Sequence, residues 1–153
     1  MNVGIIGNNL TSMTLAKALV NKKVKVTIFY KASLKKVKIN RCIGITSNNL
    51  DFFNKKIFKI NKKFIKTKNE IKIYLESSLK KETLNFKKNN TSLLNTIKIK
   101  DLFLILKREL NYKKNFNEKK VKSYDFLIKN KNYDLIFNCE KRNSLIEKYF
   151  YQA

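Results

Sequence analysis

The sequence predicts an α/β fold, and three observations carry that prediction. An apolar run, Val3 to Ile6, stops at Gly7, and an Ala- and Leu-rich stretch takes over after a polar turn. A second β-rich run, Val24 to Tyr30, then closes the segment. Near the other end, Leu135-Ile136-Phe137 forms the nearly continuous apolar run expected of a strand buried on both faces, as in parallel sheets. The opening therefore reads as strand, turn, helix, strand, with a later strand returning to the first sheet.

Between these ends the elements follow in order. Lys31 to Asn40 is a basic connector, and Ser47 or a neighbouring Asn can cap a short helix whose apolar residues are Leu50, Phe52 and Phe53. From Glu70 the pattern alternates, with Ile71, Ile73 and Leu75 on one side and Lys72, Tyr74 and Glu76 on the other, which predicts a half-buried strand. Thr83 to Phe86 and Leu93 to Ile99 read as further short strands separated by Lys- and Asn-rich turns. Asp101 is positioned to cap a helix in which Leu102, Ile105, Leu106 and Leu110 recur at helical spacing and bury one face. Asn115 to Phe116, Phe126 to Ile128 and Tyr133 to Asn138 read as strands. With proline absent and glycine limited to Gly4, Gly7 and Gly44, boundaries rest on Asn, Ser and Lys clusters.

Composition narrows the function classes. A chain of 153 residues, 43% of them hydrophobic, is long enough to bury one real core. No apolar run approaches the length of a membrane span and no basic segment precedes the first strand, so the expectation is a cytoplasmic chain without a transmembrane segment. There is no histidine, and Cys42 and Cys139 lie in no C-x-x-C pair, which argues against a zinc site or a Cys/His catalytic pair. Both cysteines read as small core residues. The formal charge of +24 is the electrostatic footprint of a nucleic-acid or anionic-membrane binder. Its cations are nearly all lysine, with Arg41, Arg108 and Arg142 the only arginines, and they are mixed with Asn and Ile throughout, as AT-rich codons produce. A selected nucleic-acid surface favours arginine's planar fork, so no specific nucleic-acid partner is expected.

The candidate site is the turn after the first strand. A strand-turn-helix unit aims unpaired helix amides at a phosphate, and the helix dipole favours negative charge there. The dinucleotide-binding fingerprint G-x-G-x-x-G has Gly7, Asn9 and Ser12 at its three places. Asn9 tolerates a left-handed backbone better than most residues, and Ser12 is small enough for close packing. Tyr30 stands where an acidic residue would bond a ribose hydroxyl.

Three segments, in this order, resemble the FAD-dependent aromatic hydroxylases of the para-hydroxybenzoate hydroxylase type, most closely the flavin monooxygenases of ubiquinone biosynthesis. Val3 to Tyr30 resembles that family's adenine-diphosphate site, with its second and third glycines replaced. Arg41-Cys-Ile-Gly-Ile-Thr-Ser-Asn-Asn-Leu-Asp-Phe-Phe53 is similar to the family's arginine followed by a short apolar element that starts a helix. Tyr133-Asp-Leu-Ile-Phe-Asn-Cys-Glu-Lys-Arg-Asn-Ser144 lines up with its strand, Gly-Ala-Asp-Gly turn and serine, with Glu140 for the aspartate and Lys141 for the glycine. The resemblance implies an FAD-binding part at 1–65, inserted substrate-domain-like strands and a helix at 66–112, and a return to the FAD-binding domain at 113–153. The family's later Gly-Asp motif and the strands that wall its flavin ring have no counterpart in the 153 residues.

The resemblance further implies FAD as cofactor and NAD(P)H as reductant. The substrate would be an aromatic small molecule, with association at the inner-membrane surface or with a ubiquinone-biosynthesis complex. Gly7, Asn9, Leu10 and Ser12 would surround the pyrophosphate, with Tyr30, Arg41 and Glu140 beside the cofactor; no catalytic base and no metal ligand is assigned. A degenerate nucleotide-binding or structural module without catalysis, and a basic nucleic-acid or membrane-binding protein, are the alternatives.

Overall fold

The computed structural model describes residues 1–31, 41–74, 82–87, 89, 92–129, 132–141, 143, 145 and 148. Most of the basic connector, Leu75, Glu76 and Ser144 lie outside the described residues. The chain divides into two units, Met1–Lys38 with Leu102–Ala153, and Ile39–Asp101.

The first unit is built on a parallel sheet. Its strands are β1 (Asn2–Ile6), β2 (Lys25–Tyr30), β8 (Phe116–Lys120) and β9 (Leu135–Asn138), in the order β8-β2-β1-β9. All three pairings are parallel, with Ile5 opposite Ile28 on one side and Phe137 on the other. The opening strand, turn, helix and strand form as the sequence predicts, with α1 spanning Leu10–Asn21. Val3, Ile5 and Ile6 of β1 and Val26, Ile28 and Phe29 of β2 are buried, and Met13, Ala16 and Val20 of α1 join them in the core. A second cluster of Ile6, Phe29, Tyr124, Leu127 and Leu145 sits under the C-terminal ends of β1 and β2. Phe29 meets Phe126 and Tyr133 edge-on, with ring centres 5.5 and 5.4 Å apart. Such pairs add to the area they bury.

The second unit holds an antiparallel sheet, β3 (Cys42–Ile45), β7 (Leu94–Lys98) and β4 (Lys66–Lys68), in the order β3-β7-β4. A separate hairpin pairs β5 (Glu70–Tyr74) with β6 (Glu82–Lys87). Helix α2 (Ser47–Lys56) starts at Thr46, whose hydroxyl accepts from the Asn49 amide, so the cap falls one residue before Ser47. Helix α3 (Ile99–Asn111), which belongs to the first unit from Leu102 on, buries Leu102, Ile105, Leu106 and Leu110 as their spacing predicts. It begins two residues before Asp101, which lies in the first turn, where its charge suits the helix dipole.

Several expectations are corrected. Phe126 to Ile128 is not a strand: it belongs to a short helix, α4 (Asp125–Lys129), started by the Ser123 hydroxyl, which accepts from the Asp125 amide. Three apolar residues are too few for periodicity to separate strand from helix. The Glu70 strand forms but is mostly exposed, because its hairpin pairs only with itself among the described residues. Helix α2 buries none of its residues, leaving Phe52 61% exposed. Cys42 is exposed and Cys139 half-buried, so neither is a core residue. β9 joins β1 as expected, yet Leu135, Ile136 and Phe137 are exposed, since β9 is the outermost strand of its sheet among the described residues.

Candidate functional site

In a parallel sheet every strand ends at the same edge, so Gly7, Tyr30 and Glu140, which follow or close β1, β2 and β9, gather along the carboxyl edge. Ligands of open α/β sheets bind in the crevice outside that edge. Gly7 leaves β1 with φ +111°, and its amide donates to the Phe29 carbonyl at 2.8 Å. Only glycine enters that conformation readily. A side chain here would also place its Cβ 2.9 Å from Cγ of Glu140, so Gly7 lets the Glu140 stem lie directly on the turn.

Asn9 is the N-cap of α1, with extended backbone (φ −134°, ψ −179°) in place of the left-handed conformation it could tolerate. Its Oδ1 accepts from the Ser12 amide at 3.0 Å, and the Ser12 hydroxyl accepts from the Asn9 amide at 2.9 Å. This reciprocal capping box satisfies two donors with side chains of the helix itself. Asn9 Nδ2 also donates to the Cys139 carbonyl at 2.7 Å, tying the turn to the end of β9. Ser12 is fully buried, as the need for close packing predicts. The amides of Leu10 and Thr11, by their place in the first turn, have no intrahelical acceptor. No acidic residue lies in that turn to repel an anion, and the buried Oδ1 of Asn8 has no hydrogen-bond partner.

Glu140 is held from the other side. The hydroxyl of Tyr124, a fully buried residue, donates to Glu140 Oε1 at 2.8 Å. Burial first, and the adjacent Glu140 carboxylate second, push the Tyr124 hydroxyl well above the ordinary tyrosine range, so it stays a donor. The turn after β9 is knit by its own asparagine: Asn138 Oδ1 accepts from the Glu140 amide at 3.1 Å and from Asn143 Nδ2 at 2.8 Å. Burial raises the Cys139 thiol as well. Tyr30 is half-buried at the end of β2, and its carbonyl accepts from the Val121 amide at 2.9 Å.

The first unit thus brings together Gly7, Asn9, Leu10, Ser12 and Glu140. Tyr124 escaped the sequence reading, because nothing about a tyrosine between Ser123 and Asp125 signals that the fold carries it to the β9 turn. Arg41 belongs to the second unit, where it is exposed and its carbonyl accepts from the Ile99 amide at 3.0 Å. That unit also contains a cavity of about 210 Å³ whose lining includes Cys42, Lys63, Lys66, Lys98 and Asp101. Among the described residues no cluster of three metal-ligating side chains occurs, and no helix is long and apolar enough to cross a membrane.

No family model matches the chain, and a search of curated proteins found no match. Solved structures do match. The p-nitrophenol 4-monooxygenase PnpA of Pseudomonas putida DLL-E4 superposes with a TM-score of 0.64 at 9% identity, over 79% of this chain and 32% of its own. PqsL of Pseudomonas aeruginosa, described as a probable FAD-dependent monooxygenase, gives 0.61 at 10% identity, over 77% and 32%. CtdE, solved in complex with FAD and a substrate, gives 0.51 at 16% identity, over 77% and 30%. The chain therefore spans about a third of the length of these structures, and what it shares with them is the fold: a mixed α/β unit with a parallel sheet, as in part of FAD-dependent monooxygenases.

Proposed function

We propose that this chain is the N-terminal, FAD-binding portion of a flavin-dependent aromatic-ring monooxygenase, of the type that serves ubiquinone biosynthesis. The observation that carries the reading is the β1–α1 turn of the β8-β2-β1-β9 sheet. There a glycine at φ +111° leads into a helix whose first amides point off the carboxyl edge. The likeness to PnpA, PqsL and CtdE supports the same fold assignment.

The residues present fit the adenine-diphosphate half of FAD in a reduced way. The Leu10 and Thr11 amides are open to a phosphate, the Asn8 side chain beside them holds a buried polar atom without a partner, and the helix N-terminus carries no acid. The Asn9 and Ser12 amides, in contrast, already bond within the capping box, so fewer donors remain than in an all-glycine loop. Gly7 supplies the turn, Tyr30 lies at the ribose end of β2, and Glu140 borders the phosphate path; Arg41 reaches the cofactor in the resemblance that motivates its assignment. When bound, the flavin ring supplies the redox and oxygen chemistry, for which NAD(P)H is the reductant in the resembling family. The chain's own part is to bind and orient the nucleotide end. Aromatic substrate recognition, the reductant and any association at a membrane surface are proposals for the whole enzyme.

Fluorescence titration of FAD and of FMN into the chain tests this. The site addresses the adenine-diphosphate end, so FAD should bind measurably more tightly than FMN. Equal affinities, or none for FAD, would sink the reading. The nucleic-acid alternative makes the opposite demand: binding indifferent to FAD and falling steeply with salt.

A further inference from the structure

Glu140 sets an electrostatic problem at the turn. Its stem lies on Gly7, with Cγ only 2.9 Å from where a Cβ would stand, so its side chain lies beside the turn that leads into α1. An anion there competes with a phosphate for the helix amides and the dipole. The carboxylate is nevertheless turned aside, because Oε1 accepts from the Tyr124 hydroxyl at 2.8 Å. That hydroxyl comes from a side chain with no solvent exposure, anchored in the cluster of Ile6, Phe29, Leu127 and Leu145. Lys31 places its ammonium over the same ring, 4.9 Å from the centroid.

We infer that Tyr124 is a positioning residue for the phosphate site: its hydroxyl latches Glu140 away from the Leu10 and Thr11 amides and so keeps the turn receptive to an anion. The inference rests on the reading of the β1–α1 turn as a nucleotide site. A charge-assisted hydrogen bond from a buried, neutral phenol is among the stronger and more directional polar contacts, and the Asn138 side chain, whose Oδ1 accepts from the Glu140 amide and whose Nδ2 donates to the Glu140 carbonyl, fixes the main chain from which the carboxylate swings. Without the hydroxyl, Oε1 loses its donor, and the open amides of the α1 first turn, which follows Gly7, are donors a freed carboxylate can take. The latch also accounts for a glutamate where a phosphate-binding turn would otherwise exclude one.

The test is an ADP titration of the ¹⁵N-labelled 153-residue chain, followed at the Leu10 and Thr11 amides, for the wild type, Tyr124→Phe, Glu140→Gln and the double variant. Tyr124→Phe should weaken ADP binding about tenfold, the factor that about 1.4 kcal/mol gives. Glu140→Gln should bind at least as tightly as wild type, and the double variant should recover wild-type affinity, because a neutral amide no longer competes. A tyrosine with only a packing role would show no such rescue. Amide spectra outside the turn verify that each variant keeps the fold. Wild-type binding with no loss in Tyr124→Phe, or a loss that Glu140→Gln leaves uncorrected, overturns the latch and leaves the nucleotide reading standing. No shift of the Leu10 and Thr11 amides by millimolar ADP in the wild type overturns both.

Discussion

Gly7 concentrates the chemistry of this chain in one backbone conformation. At φ +111° an L side chain is strained, and its Cβ would meet Glu140 at 2.9 Å. Gly7→Ala should therefore cost about 1–3 kcal/mol of stability, read as a lower midpoint in urea. Glu140→Ala in the same chain should return only the part due to contact. Tyr124 carries a pH signature of its own. Its folded-state hydroxyl titrates above the ordinary tyrosine value, so the stability it lends is complete below about pH 10 and falls as the unfolded chain gains the freedom to ionise above it. Wild type should lose stability faster than Tyr124→Phe between about pH 10 and 12. At neutral pH the substitution should itself cost about 1–3 kcal/mol through the lost bond to a carboxylate. The two cysteines should separate by exposure: Cys42 is open and beside Lys63, Lys66 and Lys98, whereas burial raises the Cys139 thiol. A dianionic disulfide reagent should modify Cys42 first, seen as a single adduct by peptide mass mapping.

At the scale of elements, α1 combines a strong cap with a costly interior choice. The Asn9–Ser12 box stabilises its start, and Asn9→Ala should remove about 1 kcal/mol while also freeing the Cys139 carbonyl. Lys17 lies on the buried side of the helix, 3.9 Å from Glu109 of α3, and burial lowers the ammonium's pKa more than Glu109 raises it. A pair with one buried member at this distance contributes little net stability, so replacing both partners, Lys17→Met with Glu109→Leu, should be neutral or stabilising by about 1 kcal/mol in a thermal melt.

These elements also mark where the sequence was legible. The βαβ opening was readable because apolar runs of strand length flank a helix-length stretch with a glycine between them, and α3 was readable because its four buried residues recur at helical spacing. Asn9 was legible as a substitute for glycine but not as a cap, since capping depends on where the helix starts, and that is set within one residue by the turn. α4 and the exposure of β9 were not legible: an apolar triplet carries no period, and burial of a strand depends on which neighbours cover it. Glu140 was found through the resemblance, but its partner Tyr124 lies 16 residues away, and no local pattern links the two.

On the scale of the whole molecule, charge and fold make different claims. A net charge of +24 attracts any anion at low salt, so weak nucleotide binding alone would say nothing about the turn. The parallel sheet, with Gly7 and Glu140 on its carboxyl edge, supports a single place for a phosphate, and the likeness to monooxygenase structures covers about a third of their length. Screening separates the two, because a field of surface lysines fades over about 8 Å at physiological ionic strength, while amides fixed in a helix turn do not. The most direct measurement is calorimetric titration of ADP at about 0.15 M salt into wild type and into Gly7→Ala. A one-to-one isotherm that survives the salt and disappears in Gly7→Ala is the predicted result. Binding that vanishes with salt, or that Gly7→Ala leaves unchanged, would contradict a nucleotide site at the β1–α1 turn.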